Sequence, residues 1–95
     1  MTTVTLRRVR RTAASTTPQV LGQVLPGQSC RVESYADDVD ERTAQRLRDL
    51  GFAPGEMITV VRRAPMGDPV LYRVVDTVVA LRAEHTRQIR VSSAG

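Results

Sequence analysis

The chain has 95 residues, 41% hydrophobic and 25% charged, which fits one globular domain and excludes a disordered or membrane-embedded chain. No apolar run approaches the ~20 residues of a spanning helix, Met1 to Ala14 lacks the apolar core of a secretory signal, and a lone Cys30 rules out an internal disulfide, a Cys-only zinc site and a CxxC pair, so a reducing cytosol is the expected compartment. The net charge of +4 comes from 14 basic residues, all Arg, against 10 acids; the surplus is Arg7, Arg8, Arg10 and Arg11, so the remainder is neutral and lacks the overall basic balance expected of a nucleic-acid-binding domain.

Residues 1–18 read as a basic tail in which Thr and Ser are interspersed with Arg and Pro18 closes the segment. Too little apolar surface is present there to offset the entropy of ordering, although Val4, Leu6 and Val9 could form a short strand or turn. The tail is open to two readings: weak attraction to anionic lipid or phosphate, or a solvated extension. Salt screening of four charges favours the second. Residues 19–95 read as the folded domain.

Pro26-Gly27 is a turn pair. In Gln28 to Tyr35, Cys30, Val32 and Ser34 alternate with Arg31, Glu33 and Tyr35, the pattern of a strand with one buried face. Asp37, Asp38 and Asp40 then offer N-cap oxygens and suit the positive end of a helix dipole. Glu41 to Leu50 is the one clear helix, with Ala44, Leu47 and Leu50 on an apolar stripe. Gly51 follows as a C′ residue at positive φ, which pairs Phe52 with Leu47 in a Schellman ending. Four further strands, Glu56–Arg63, Val70–Val75, Thr77–Arg82 and Gln88–Val91, are short and rich in Val, Ile and Leu. The turn Pro65-Met66-Gly67-Asp68-Pro69 separates the first two, Asp76 and Thr77 reverse the chain between the next pair, and Glu84–Arg87 has room for one helical turn. The fold class expected is therefore mostly β: a small, partly open barrel of about five short strands with one α-helix after the first.

No catalytic set is visible. There is no base beside a nucleophile, no GxxxxGK[ST], no GxGxxG and no HExxH, and one His with no Lys leaves acid–base and Schiff-base chemistry short of its usual residues. A non-enzyme without cofactor is expected. A resident metal site is not expected either: His85 beside Glu84 undersupplies iron or zinc, and Asp37, Asp38, Asp40 and Glu41 lack the spacing of a calcium loop. Cys30 reads as a buried, inert thiol. For contact with a partner, Met66 stands out. Pro65, Gly67 and Pro69 are explained by turn geometry and Asp68 by bonding to its own backbone, whereas an apolar residue on an exposed tip has no such duty. Leu47 and Phe52, expected at the edge where the helix covers the barrel mouth, are further candidates, with core packing the stronger reading for Leu47.

From Leu21 to Val91, about three quarters of the chain, the sequence resembles the FeoA family. The resemblance rests on Leu21, Pro26-Gly27, Val32, Leu47, Leu50-Gly51-Phe52 with Pro54-Gly55, Ile58, Val60-Val61, the run Ala64 to Val70, Val79-Ala80-Leu81-Arg82, Glu84, Ile89 and Val91. Its most specific pieces are the LGF-PG block and the APMGDPV turn, in order. It implies an SH3-like barrel, no catalysis, and a cytosolic accessory role in bacterial ferrous-iron uptake through interaction with the FeoB-type membrane GTPase permease. The same barrel forms the C-terminal domain of iron-dependent repressors, so a regulatory barrel working with such a repressor is a second reading. A small nucleic-acid-binding barrel using the Arg tail is a third. The 18 to 20 residues ahead of the barrel are too few for a winged helix. The chain departs from the family pattern at Asp76, where Gly is usual and where Asp is expected to tolerate positive φ, at Glu84-His85-Thr86, and in its basic tail.

Overall fold

A computed structural model describes residues 18–93. The tail expected over residues 1–18 therefore lies, apart from Pro18, outside the described residues. A 3₁₀ turn at Leu21–Gln23 precedes strand β1 (Ser29–Tyr35), helix α1 (Glu41–Asp49), β2 (Met57–Arg63), β3 (Val70–Val74), β4 (Thr77–Leu81), the one-turn helix α2 (Ala83–Thr86) and β5 (Ile89–Ser93). The strands form one antiparallel sheet in the order β4-β3-β2-β1-β5. Five strands with a helix after the first agree with the sequence. The 3₁₀ turn was not foreseen, and β5 runs on to Ser93 rather than stopping at Val91.

Alternation sets which face of each strand is buried. Cys30 and Val32 point inward from β1, Ile58 and Val60 from β2, and Val70, Tyr72 and Val74 from β3, between exposed or half-exposed neighbours. Register shifts between Val32 and Ser34 on β1 and between Val60 and Arg62 on β2 are irregularities of the kind that bend strands and raise their twist. The inward faces enclose one core, completed by Leu21 and Val24 from the 3₁₀ segment and by Leu47 and Phe52 from the end of α1.

Helix α1 begins where Asp40 Oδ1 accepts the Thr43 N–H at 2.7 Å. It ends in the Schellman geometry expected: Phe52 N–H donates to Leu47 O at 2.9 Å, Gly51 N–H to Arg48 O at 3.0 Å, and Gly51 has φ 108°. One residue of its apolar stripe differs from expectation. Leu50 is the C-cap, past the last full turn, and remains exposed.

The β3–β4 hairpin also differs. Val74 pairs with Thr77, which leaves Val75 and Asp76 as the two corner residues. Positive φ falls on Val75, at 60°, and not on Asp76. The register is fixed from within, because Val70, Val74 and Leu81 must all face the core. It forces a β-branched residue into the left-handed region.

The sheet's two edges are finished differently. The outer side of β5 is met by the segment ahead of the 3₁₀ turn, through a Val20–Arg90 bridge and a bond of 3.0 Å from Val91 N–H to Gln19 O. The outer side of β4 receives no such cover among the described residues.

Candidate partner-binding surface

The β2–β3 connection is built to hold its tip still. Gly67 N–H donates to Ala64 O at 2.7 Å, closing a turn with Pro65 and Met66 at its corners, and Ala64 N–H donates to Pro69 O at 2.9 Å. Pro65 supplies the φ that the first corner requires, and Gly67 takes φ 87°. The Asp68–Pro69 peptide is cis. Asp68 does not bond its own loop as the sequence suggests; its Oδ1 accepts the Ala83 N–H at 2.9 Å, tying the loop to the first residue of α2. At the root of the loop, Arg63 reaches the carbonyls of Gly22 and Val24, each at 3.4 Å. These two anchors were not legible in the sequence. Met66 stands out from this base with 93% of its surface exposed.

Leu47 and Phe52 lie elsewhere. Both are core residues, at 2% and 0% exposure, and not edge residues. The Schellman ending draws the pair inward together, and the Phe52 ring meets Tyr72 edge-on at 5.9 Å. The Tyr35 hydroxyl donates to Phe52 O at 2.7 Å, and the Arg48 guanidinium lies over the Tyr35 ring. Of the three candidates only Met66 is exposed.

Several of the other singled-out residues are buried or have structural partners. Burial pushes the Cys30 thiol up to about 11 and the Tyr72 phenol up to about 12, so both stay protonated at neutral pH. Burial also raises Tyr35, against the opposing pull of Arg48. The Thr43 N–H holds the Asp40 carboxyl below its usual range. Glu41 pairs with Arg48 at 2.7 Å and Asp37 with Arg90 at 3.4 Å. His85 Nδ1 lies 3.2 Å from Gln88 Oε1. Among the described residues no group of three or more His, Cys, Asp or Glu stands together as metal ligands, and no helix is long and apolar enough to cross a membrane.

A concavity of about 220 Å³ lies between α1 and the end of β4. Leu47, Leu50, Ala80 and Leu81 give it an apolar lining, with Thr43, Arg46, Arg82 and His85 completing it. No sequence motif marks it, because its two walls are thirty or more positions apart in the chain.

A five-stranded antiparallel sheet around a single small core, with a helix after the first strand, defines an SH3-like domain. Residues 20–93 match the FeoA domain family. The chain belongs to the FeoA family. It is 47% identical over 47 residues, half of its length, to the Fe(2+) transport protein A/Fe(2+) transporter FeoB fusion protein of Porphyromonas gingivalis, of which it spans only 6%. Among solved structures it resembles iron(II) transport protein A from Clostridium thermocellum at 30% identity and a TM-score of 0.73, covering 80% of this chain and 46% of that one. It also resembles the zinc complex of FeoA from Stenotrophomonas maltophilia, an SH3 domain protein, at 35% identity and a TM-score of 0.66, covering 77% and 88%.

Proposed function

We propose that the chain is a non-enzymatic, cytosolic accessory protein of bacterial ferrous-iron uptake that binds or modulates an FeoB-type GTPase permease. The observation that carries this reading is the Porphyromonas gingivalis relative, in which a transport protein A is fused to FeoB. Joining two modules in one chain raises their effective concentration to the order of millimolar, which serves a pair that works in contact. The surface of this chain fits a docking role. Met66 is an apolar side chain on a tip whose backbone is already fixed, so little ordering entropy opposes its docking. The non-enzymatic part rests on the absence of an activated nucleophile among the described residues: the Cys30 thiol is buried and protonated, and His85 is beside Gln88. The test is a pull-down of the chain by the cytosolic region of the permease, with and without guanine nucleotide. Retention in at least one nucleotide state is expected. Absence of retention in every state contradicts the reading.

A further inference from the structure

A strand edge is a row of backbone donors and acceptors waiting for a partner, and folded proteins normally protect it with Pro, charge, a bulge or a covering segment. The β5 edge is covered by Gln19 and Val20. The β4 edge is not. Its sequence, Thr-Val-Val-Ala-Leu, contains no Pro and no charge, and its register with β3 is unbroken. Because the hairpin closes on the Val74–Thr77 pair with two corner residues, Thr77, Val79 and Leu81 direct their backbone groups to β3, and Val78 and Ala80 direct theirs outward. No hydrogen bond from another element reaches Val78 or Ala80 among the described residues.

The groove between α1 and β4 runs beside the Ala80–Arg82 end of this edge and gives it side-chain specificity. Its lining is apolar at Leu50, Ala80 and Leu81, cationic at Arg46 and Arg82, and contains no acid. Neither Arg46 nor Arg82 makes an ion pair or side-chain hydrogen bond among the described residues, unlike Arg48 and Arg90. Two uncommitted guanidinium groups beside an apolar floor match carboxylates next to aliphatic side chains.

We propose that the open edge of β4 accepts an extended, acidic and aliphatic segment of a partner protein as an added strand, with its carboxylates on Arg46 and Arg82. Main-chain bonds to Val78 and Ala80 supply the affinity, and the groove selects the side chains, as in other cases of strand addition. The site uses no atom of Met66, so it stands whether or not that tip binds the permease.

The test uses the full chain, isotope-labelled, with the blocked hexapeptide Glu-Val-Leu-Glu-Val-Glu and its lysine-for-glutamate counterpart, read by amide hydrogen exchange and chemical shift. At saturation by the acidic peptide, exchange at the Val78 and Ala80 amides is expected to slow by about tenfold or more, since only the peptide-free fraction exposes them. The lysine peptide should bind about tenfold more weakly and protect them correspondingly less at the same concentration. Reversing both charges, Arg46→Glu with Arg82→Glu, should weaken binding by about tenfold, the scale of two exposed ion pairs. Ala80→Pro removes one outward N–H without touching the β3 ladder, and should abolish binding while the thermal midpoint stays near that of the parent. The proposal is overturned if the acidic peptide gives no protection at millimolar concentration, if it binds equally well to the double variant, or if it shifts residues away from β4. Protection of Val78 and Ala80 that rises with protein concentration alone also overturns it, since the occupant is then a second copy.

Discussion

The hairpins at the two ends of β3 both expose an apolar corner residue, and they hold it by opposite means. At the β2–β3 end, Met66 sits on a turn whose backbone bonds are made, whose φ demands fall on Pro65 and Gly67, and whose flank is tied to α2 by Asp68. At the β3–β4 end, Val75 is forced to φ 60° by a two-residue turn and is 74% exposed. Val75 is outside because the register of a buried strand leaves it nowhere else to go, and its backbone is strained there. Met66 is outside on an unstrained scaffold that puts no demand on its identity. Exposure of an apolar side chain is thus a by-product of register at Val75, while at Met66 it leaves room for the partner contact proposed above.

Four substitutions sharpen or break this contrast. The largest effect is expected at Gly51, whose added Cβ would lie 2.5 Å from Cγ1 of Val74, the residue that closes the strained hairpin. Gly51→Val combines strain at φ 108° with overpacking against a stiff neighbour, and should destabilise by about 3 kcal/mol or more in denaturant unfolding. An unchanged midpoint would mean that α1 ends differently. Val75→Gly should stabilise by about 1 kcal/mol, because relief of the left-handed conformation outweighs the added freedom of the unfolded chain and little packing is lost. A loss of stability there would show that Val75 is held by contacts and not merely tolerated.

Asp68→Ala should cost about 1 kcal/mol by leaving the Ala83 N–H without its acceptor, the scale of one capping bond. The same variant should raise amide exchange at Ala83 and in the Pro65–Pro69 loop. A neutral result would show that the loop holds its shape without the tie to α2. A smaller, pH-dependent effect is expected at the helix start. The Thr43 N–H lowers the Asp40 carboxyl in the folded state, so its stabilisation is fully present above the unfolded-state value and is lost as pH falls through the folded-state value. Asp40→Asn keeps the cap and should flatten that part of the acid limb in pH-dependent unfolding; an identical acid limb would remove Asp40 from it.

The two hairpins were not equally legible in the sequence. Pro65, Gly67 and Pro69 act through local backbone geometry, so the turn and its exposed Met66 could be read directly. The bond from Ala83 to Asp68 spans fifteen residues and exists only once β4 has returned the chain to the loop. By residue type Asp76 is the natural positive-φ position, because Asp tolerates that conformation, but the corner is assigned by which of Val70, Tyr72 and Val74 must be buried, a condition set by the whole barrel. Leu47 and Phe52 show the same limit. Their pairing at the end of α1 follows from Gly51, while their depth follows from closure over Tyr72. The open β4 edge and its groove join parts of the chain that no local pattern links.

We propose that the Met66 tip is a partner contact, and one substitution tests it. Met66→Asp should change folding stability by less than about 0.5 kcal/mol, as expected for a side chain in solvent away from any special backbone feature. In the same preparation, binding to the cytosolic region of the permease, followed by calorimetry or pull-down, should be lost, because the new carboxylate would be buried unpaired at an apolar contact. Normal folding with lost binding is the predicted result; normal folding with undiminished binding would contradict the account.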